Sequence, residues 1–432
     1  METVRETVSF PVTEESWRST FYVFFKKVRE QNAGAVAFCQ KKLYNSVRKI
    51  VRSDNLILLK LSWFGVITKY VEFILVLFTN FQMKIESKGE LLMAKEMDWG
   101  SLGFEYTPAA YRFVATWRDG KWDEGQLTTD PTVHINECAG VLQYAQACFE
   151  GLKAYRTEDG RVVTFRPELN AERMIDSATR LEIPPVPKEL FMKGLDELVK
   201  ANLDMVPPYG SGATLYVRPY VFGSGEVIGV KPADEYTFRM ICMPVGPYFK
   251  GGAKPVVVKI SDFDRAAPKG TGGIKAALNY AMSLYAGTRA HEEGFAENIY
   301  LDPATRTKIE EAGGMNVVFI TKDGTFVTPK SESILPSVTR RSLEVVAKDM
   351  LGMKVEHREV LLSEVPEFAE CGLVGTAAVI CPVGKINDHG KVIEFPTGMD
   401  EMGPGLQKLY DTLTGIQMGR IEGPEGWLHE IK

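Results

Sequence analysis

The stretch KGTGGIKAALNY, residues 269–280, places Lys275 behind a glycine-rich run and among small apolar residues. A Walker A loop would end in Gly-Lys-Ser/Thr, because its glycine lets the backbone approach a phosphate and its hydroxyl binds magnesium. Here Ile274 precedes the lysine and Ala276 follows it, so both requirements fail. The stretch therefore argues against a nucleotide-binding loop.

Two interpretations of Lys275 remain, an ordinary surface lysine and a catalytic lysine. Its apolar neighbours favour the second, because desolvation disfavours the charged form of a lysine and a Schiff-base nucleophile must be a neutral amine. The stretch alone does not decide between them, so the rest of the chain must supply the partners that a catalytic lysine needs.

Composition excludes several classes of protein. The chain has 432 residues, of which 25% are charged and 45% hydrophobic, as in an ordinary soluble globular protein of two or three domains. A net charge of -5 argues against nucleic acid as the main partner, because proteins that bind it usually carry a basic face. The 6 cysteines form no CxxC pair and the 5 histidines no HExxH motif. We therefore expect no disulfide framework, no metal site and a cytoplasmic location.

The beginning of the chain differs in composition from the remainder. Residues 1–82 hold only 3 Gly or Pro residues and carry 12 Lys or Arg against 7 Asp or Glu. Charged residues interrupt the apolar run 56–81, which leaves no window of about 18 to 20 uncharged residues for a transmembrane helix. We interpret residues 1–92 as an extension that is not part of the working protein, with Met83 or Met93 as the true start. The alternative is an amphipathic helix that docks on a membrane or a partner.

From about Trp99 the pattern is typical of a mixed α/β protein. Alternating residues on both sides of Asp119-Gly120 predict a β-hairpin. The other predicted elements are strands at 214–223, 236–246 and 253–261, a strand followed by a helix at 160–183, a second hairpin at 316–329, and helices at 277–294 and 336–351. Two prolines and two glycines make residues 247–255 the predicted linker between a small α/β domain, 93–246, and a larger domain, 256–432.

A Schiff-base lysine points to pyridoxal phosphate, which needs an acid for its pyridine nitrogen and a cationic cradle at a helix N-terminus for its phosphate. Glu310 and Glu311 end a short predicted strand, so one of them should face inward and the other solvent. Pro336 suits a first helical turn and would place the Val338 and Thr339 amides against an anion.

Thr376 lies in the small-residue turn of LVGTAAVI, residues 373–380, and is a further phosphate candidate. Each of these signals has a plainer alternative. Glu310 and Glu311 could form a solvated acidic pair, and Arg173 could pair with Asp176 on a helix surface. No single motif is decisive, but their order along the chain is informative.

Together the motifs resemble those of the branched-chain aminotransferases, which are fold-type IV pyridoxal phosphate enzymes. The resemblance covers about residues 95–430 and runs in order through YAQACFEGLKAYR, ERMIDSA, LYVRPYVFG, PVGPYF, GIKAALNYA, EEAGGMN, LPSVTRRSLE, GTAAVICPV and LTGIQMGRIEGPEGW. It implies a mixed α/β (α+β) fold in which a smaller N-terminal domain precedes a larger domain that carries the lysine. It also implies a homodimer with the active site near the subunit interface.

The resemblance assigns roles position by position. Lys275 becomes the Schiff-base lysine, Tyr280 lies beside the cofactor's phenolic oxygen, and Glu311 binds the pyridine nitrogen while Glu310 faces outward. The implied phosphate ligands are Arg173, the amides of Val338 and Thr339, and Thr376. The implied substrate pocket contains Tyr144, Phe149, Tyr216, Arg218 and Tyr248, with the turn at Thr376 and Ala377 receiving the α-carboxylate. The redox CxxC of mammalian members reads Ala378-Val379-Ile380-Cys381 here, so we expect no thiol switch.

The implied activity is a transaminase. It would move the amino group of L-leucine, L-isoleucine or L-valine to 2-oxoglutarate, giving the branched-chain 2-oxo acid and L-glutamate. Aromatic residues suit the apolar side chain, and Arg218 suits the γ-carboxylate of the second substrate. The alternatives are a D-amino-acid aminotransferase or an aminodeoxychorismate lyase of the same fold type, and a non-catalytic cofactor-binding or membrane-docked protein.

Overall fold

The computed structural model describes residues 97–246 and 253–432. The interpretation of residues 1–92, most of the predicted linker and Tyr248 lie outside these residues. Glu96–Lys432 is one compact unit. The proposed division of that unit into two domains stays a prediction.

The described strands fall into two sheets. They are β1 (Arg112–Arg118), β2 (Lys121–Trp122), β3 (Gln126–Thr128), β4 (Ala147–Phe149), β5 (Leu152–Arg156), β6 (Val162–Phe165), β7 (Thr214–Gly223), β8 (Tyr236–Val245), β9 (Val256–Ile260), β10 (Asn298–Leu301), β11 (Ile309–Ala312), β12 (Asn316–Thr321), β13 (Phe326–Pro329), β14 (Val355–Arg358), β15 (Phe368–Gly375), β16 (Val379–Asp388), β17 (Lys391–Glu394) and β18 (Leu428–Glu430). The described α-helices are α1 (Gly140–Tyr144), α2 (Pro167–Arg180), α3 (Lys188–Ala201), α4 (Ala277–Glu292), α5 (Val338–Val345) and α6 (Pro404–Gln417).

The first sheet is antiparallel, with the order β18-β6-β5-β7-β8-β1-β2, and β3 and β4 pair with β1 and β7. The predicted hairpin at Asp119-Gly120 is confirmed, because Arg118 pairs with Lys121 and leaves a two-residue turn. Both turn residues have positive φ, 53° and 82°, which suits a tight hairpin of the twisted type. β18 brings the C-terminal end of the chain back to β6 of this sheet.

The second sheet mixes parallel and antiparallel pairs. Its order is β11-β10-β9-β16-β15-β12-β13-β14, with β17 beside β16. An additional pairing between β11 and β12 closes six of these strands into a ring. A cluster of buried aliphatic and aromatic side chains, among them Val258, Phe319 and Ile386, fills one face of the sheet. The mixed α/β fold class expected from the sequence is therefore confirmed.

Amphipathic helices cover both sheets. Buried side chains of α3, such as Leu195 and Leu198, join the hydrophobic cluster of the first sheet. Burial of a side chain of this size stabilises the fold by about 2 kcal/mol. Helices α5 and α6 contribute Leu343 and Leu409 to a third cluster, which also contains residues of β6, β12 and β15.

Most predicted elements are confirmed, but the start of α5 differs from the expectation. The helix begins at Val338, and the hydroxyl of Ser337 caps it by accepting a hydrogen bond from the amide of Arg340. Pro336 therefore precedes the cap, whereas the sequence suggested a place in the first turn. Beyond Val345 the last part of the predicted helix continues as a π-helical turn, Val346–Met350.

No helix within residues 97–246 and 253–432 combines the length and the apolar character that a membrane crossing requires.

Candidate active site

A cavity of about 690 Å³ collects most of the predicted site residues. The predicted residues that line it are Phe149, Arg173, Tyr216, Arg218, Lys275, Tyr280, Glu311, Val338, Thr376 and Ala377. They come from both sheets, from α2 and from the N-terminal regions of α4 and α5. This volume is within the usual range of about 300 to 1,000 Å³ for small-molecule sites.

Lys275 occupies the loop that leads into α4, and contacts to the first sheet and α2 hold its backbone. Its amide donates to the hydroxyl of Ser177, and its carbonyl accepts from the amide of Phe149 at 3.2 Å. The side-chain ammonium donates to the hydroxyl of Tyr280 at 2.8 Å and lies 4.8 Å from the centre of the Phe149 ring. The hydroxyl of Tyr280 and the ring of Phe149 thus fix the position of the Lys275 amine at the cavity.

Glu311 is a buried carboxylate with three hydrogen-bonding or ionic partners. The guanidinium of Arg265 lies 2.6 Å from one oxygen, which also accepts from the amide of Leu335. The side-chain amide of Asn316 donates to the other oxygen at 2.8 Å. Burial raises the pKa of Glu311 to about 7, against the lowering influence of Arg265 and the Leu335 amide.

The neighbouring Glu310 is also buried, with 3% of its surface exposed. The prediction that it faces solvent is therefore wrong, although the two carboxylates do have different partners. Ser331 donates its hydroxyl proton to Glu310 at 2.8 Å. All four residues of β11 are buried, so both faces of this strand are covered and alternation along it does not lead to water.

Arg173 lies on α2 and enters the cavity beside the beginning of α5. Its guanidinium binds both oxygens of Glu150 at 2.8 Å and donates to the carbonyl of Pro336 at 3.1 Å. Both members of this ion pair are buried. Burial alone would raise the pKa of Glu150, but Arg173 outweighs that effect and holds the pKa below its ordinary value. The alternative pairing with Asp176 is not observed among these contacts.

An arginine side chain has five N-H donors, of which the contacts to Glu150 and Pro336 use three. Arg173 therefore retains donors for a ligand in the cavity. The amides of the first helical residues have no acceptor within their own helix, so Val338 and Thr339 add backbone donors at the positive end of α5. Val338 lines the cavity, whereas Thr339 is buried behind it.

Aromatic residues and one arginine form the side of the cavity built from the first sheet. The guanidinium of Arg218 donates to the hydroxyl of Tyr216 at 3.0 Å and lies 4.6 Å from the centre of the Phe149 ring. Phe104 packs edge-to-face on Tyr216, with 5.1 Å between ring centres. This side of the cavity can contact an apolar chain through rings and an anion through Arg218.

The turn between β15 and β16 borders the cavity with Thr376 and Ala377. The hydroxyl of Thr376 donates to the carbonyl of Gly151, and the ammonium of Lys153 donates to the carbonyl of Ala377 at 2.8 Å. Val379 closes the turn with φ of 61°, a left-handed conformation that is rare for a β-branched residue.

One predicted pocket residue within the described ranges does not line the cavity. Tyr144 ends α1 on the surface, 40% exposed, with its hydroxyl on the carbonyl of Ile228. Tyr248 lies outside the described residues. No group of three or more His, Cys, Asp or Glu side chains within the described ranges is arranged to hold a metal ion.

The sequence reasoning missed Arg265, Asn316, Phe104 and Lys153. Arg265 stands in DFDRAAPKG, where a lone arginine before small residues is a weak signal. Asn316 follows the Gly-Gly turn after Glu311, and its position opposite Glu311 becomes evident only when β11 pairs with β12. Lys153 carries no signal in sequence, because a lysine within a short strand usually faces solvent.

Known proteins are similar to this chain in sequence and in fold. Residues 147–386 match the family model described as amino-transferase class IV. The branched-chain-amino-acid aminotransferase of Haemophilus influenzae is 54% identical over 343 residues, which cover 78% of this chain and 100% of that protein. The corresponding protein of Helicobacter pylori is 48% identical over 78% of this chain and 98% of its own length.

Solved structures are similar over a comparable share of the chain. The branched-chain amino acid aminotransferase of Escherichia coli has a TM-score of 0.64 at 25% identity, covering 75% of this chain and 100% of that one. The holo-form of the enzyme from Thermobaculum terrenum, described as its PLP-form, has a TM-score of 0.63 at 23% identity and covers 76% of this chain and 100% of its own. At that identity the second likeness concerns the fold.

Proposed function

The chain belongs to the branched-chain-amino-acid aminotransferase family, and from this premise we propose that it transfers the amino group of L-leucine, L-isoleucine or L-valine to 2-oxoglutarate. The proposed cofactor is pyridoxal 5'-phosphate. One observation carries the proposal: Lys275, Tyr280 and the buried Glu311 border a single cavity together with the N-terminus of α5.

The donor set of the cavity fits pyridoxal phosphate. An amine, a buried carboxylate and a helix N-terminus beside an arginine are the three groups that its aldehyde, ring nitrogen and phosphate require. When bound, the cofactor supplies an aldehyde that condenses with amines and a ring that accepts electrons when the substrate's α-proton leaves.

Lys275 would hold the cofactor and then move the proton of the substrate's α-carbon at its Nζ atom. Tyr280 restrains that atom through the 2.8 Å hydrogen bond. The carboxylate of Glu311 would keep the ring nitrogen protonated, with Arg265 and Asn316 fixing its orientation. The remaining donors of Arg173, the Val338 and Thr339 amides, and Thr376 would hold the phosphate.

Both substrates must enter the same pocket. Phe149 and Tyr216 would contact the branched side chain, and Arg218 would receive the γ-carboxylate of 2-oxoglutarate or glutamate. The amides of the turn at Thr376 and Ala377 would receive the α-carboxylate that all substrates share. Tyr248, which lies outside the described residues, is retained as a pocket residue in this proposal.

Tyr144 enters the proposal through a second copy of the chain. Tyr144, Leu142 and Ile228 all have exposed side chains, and together they form an apolar surface that a homodimer would cover. We expect a dimer in sedimentation-velocity experiments and a shift to monomer when Leu142 is replaced by glutamate. The cytoplasmic location stays a prediction from composition.

The experiment that tests the proposed function is the visible absorption spectrum of the purified protein, recorded alone, after L-leucine and again after 2-oxoglutarate. Loss of the cofactor band with L-leucine and its return with 2-oxoglutarate would support both half-reactions. A response to D-leucine alone would favour a D-amino-acid aminotransferase, and a band that ignores both would favour the lyase. The names of the relatives do not favour these alternatives.

The matched variants lie in one loop. Lys275→Ala is expected to abolish turnover and to leave the fold intact, whereas Lys269→Ala, which changes an exposed lysine of the same loop, should leave turnover unchanged. Retained turnover in Lys275→Ala would refute the assignment of the lysine.

A further inference from the structure

Lys153 is a buried lysine in β5, with 7% of its surface exposed. Its neighbours Leu152 and Ala154 face the hydrophobic cluster of the first sheet. Lys153 faces the opposite side with Tyr155, because side chains alternate along a strand. Lys153 also pairs with Tyr216 of β7, which lines the cavity. The lysine side chain is therefore buried on the strand next to the one that supplies Tyr216 to the cavity.

Buried lysines usually have a carboxylate partner, because an uncompensated charge is costly inside a protein. Lys153 has no carboxylate in an ion pair within residues 97–246 and 253–432, and burial lowers its pKa to about 8. Its observed partner is the carbonyl oxygen of Ala377, at 2.8 Å. This contact directs the ammonium at the back of the turn that borders the cavity.

Two successive residues of the turn, Thr376 and Ala377, are hydrogen-bonded to residues just before and at the beginning of β5. Thr376 donates to Gly151 at 3.2 Å, and Ala377 accepts from Lys153 two residues further along the chain. In a trans peptide the carbonyl and the following amide point in opposite directions. A lysine that fixes the carbonyl of Ala377 therefore fixes the peptide plane that follows Ala377. Together with the contact of Thr376 to Gly151, it restrains the backbone that carries the amides of Thr376 and Ala377.

We propose that Lys153 is a positioning residue for the α-carboxylate of every substrate: it orients the turn at Thr376 and Ala377 and adds an uncompensated positive charge behind it. The inference rests on the proposed function. It differs from the role of Arg218, because Arg218 would serve one substrate and Lys153 serves both. Loss of Lys153 should therefore weaken binding of the amino acid and of the oxo acid by similar factors.

Three variants separate the two contributions of Lys153. Lys153→Met removes the charge and the donor, Lys153→Gln retains a donor without the charge, and Lys153→Arg retains both. Tyr155→Phe is the control, since it alters a buried residue on the same face of β5 that is not part of the cavity lining. Cofactor binding and thermal unfolding are measured for each variant to verify folding.

The probes are 4-methylpentanoate, a branched chain with a carboxylate, and 4-methylpentanamide, the same chain without charge. Inhibition by the carboxylate is expected to weaken about tenfold in Lys153→Met and less in Lys153→Gln, while inhibition by the amide changes less than about twofold. KM should rise for L-leucine and for 2-oxoglutarate, with kcat within about threefold, and Lys153→Arg should restore most of the affinity.

The inference would be overturned if inhibition by the two probes weakened equally in Lys153→Met. Unchanged inhibition by the carboxylate in Lys153→Gln would also overturn it. So would an Arg variant as impaired as the Met variant. A wild-type protein that fails to transaminate L-leucine refutes the proposed function instead, so the two failures are distinguishable.

Discussion

The guanidinium of Arg265 and the carboxylate of Glu311 form a buried ion pair, with 2.6 Å between Nη2 and Oε1. Arg265 also donates to the carbonyls of Gly272 and Ser333, so it ties the glycine-rich loop before Lys275 to the acid of the cavity. The two groups proposed to act on opposite ends of the cofactor are thus connected through one side chain.

Burial of Glu311 makes the stability of the cofactor-free protein depend on pH. The pKa of Glu311 rises from 4.5 to about 7 on folding, with burial as the main cause. The contribution of Glu311 to the free energy of unfolding is therefore fully present below pH 4.5 and is lost as the pH rises through about 7. The total loss is on the order of 3 kcal/mol. Glu311→Gln should remove this loss, so that the free energy of unfolding falls less between pH 5 and pH 8.

Arg265→Met is the matched comparison for Glu311→Gln. Arg265 lowers the pKa of Glu311, so its removal should raise that pKa further and extend the loss of stability to higher pH. Chemical denaturation of the cofactor-free variants at several pH values measures both effects. Identical pH dependence in wild type and Glu311→Gln would show that Glu311 is ionised normally in the fold.

The assignment of Arg173 to the phosphate predicts a difference between pyridoxal phosphate and pyridoxal. Arg173→Met should weaken binding of the phosphorylated form about tenfold or more relative to pyridoxal, because a charge-assisted hydrogen bond is worth about 1.5 to 3 kcal/mol. Equilibrium dialysis of the cofactor-free protein with each compound gives the two affinities.

The control for that experiment is the double variant Arg173→Met, Glu150→Gln. The single variant leaves the buried carboxylate of Glu150 without its partner, which costs stability independently of any ligand. The double variant removes this unpaired charge and should still discriminate poorly between the two compounds. Recovery of wild-type discrimination in it would argue against contact between Arg173 and the phosphate.

Motifs predicted much of the site, because several of its residues lie within a few positions of a glycine turn or a helix start. Lys275, Tyr280 and Glu311 border the cavity, as their local motifs indicated. Arg265 and Lys153 were not found, because their contacts join residues from separate elements, and sequence spacing carries no information on such pairs. Glu310 was misjudged because alternation identifies opposite faces of a strand without telling which face is wet.

The thiols within the described residues should not regulate activity. Burial raises the pKa of Cys381 to about 12 and keeps Cys371 protonated by raising its pKa, and a thiol is much less nucleophilic than a thiolate. Mild peroxide followed by a reductant should leave turnover unchanged in a Cys39→Ala, Cys138→Ala background, which removes the more exposed Cys138 and the cysteine outside the described residues. Reversible loss of turnover in that background would reveal a redox switch.

Val379 offers a test of how the turn at Thr376 and Ala377 keeps its shape. A left-handed φ of 61° costs a residue with a Cβ atom about 1 to 2 kcal/mol, and glycine escapes this cost. Val379→Ala and Val379→Gly lose similar buried surface, so they differ mainly in backbone strain. We expect the glycine variant to be more stable than the alanine variant by about 1 kcal/mol, the reverse of the usual order.

Val383 supplies the control, since it is buried in the same strand, β16, without a positive φ. There the glycine variant should be less stable than the alanine variant by about 0.5 to 1 kcal/mol. Urea unfolding of the four variants gives the comparison. The same order at both positions would mean that Val379 is not strained. Inversion at position 379 alone would show that surrounding contacts, including those of Lys153 and Thr376, hold the turn against its backbone preference.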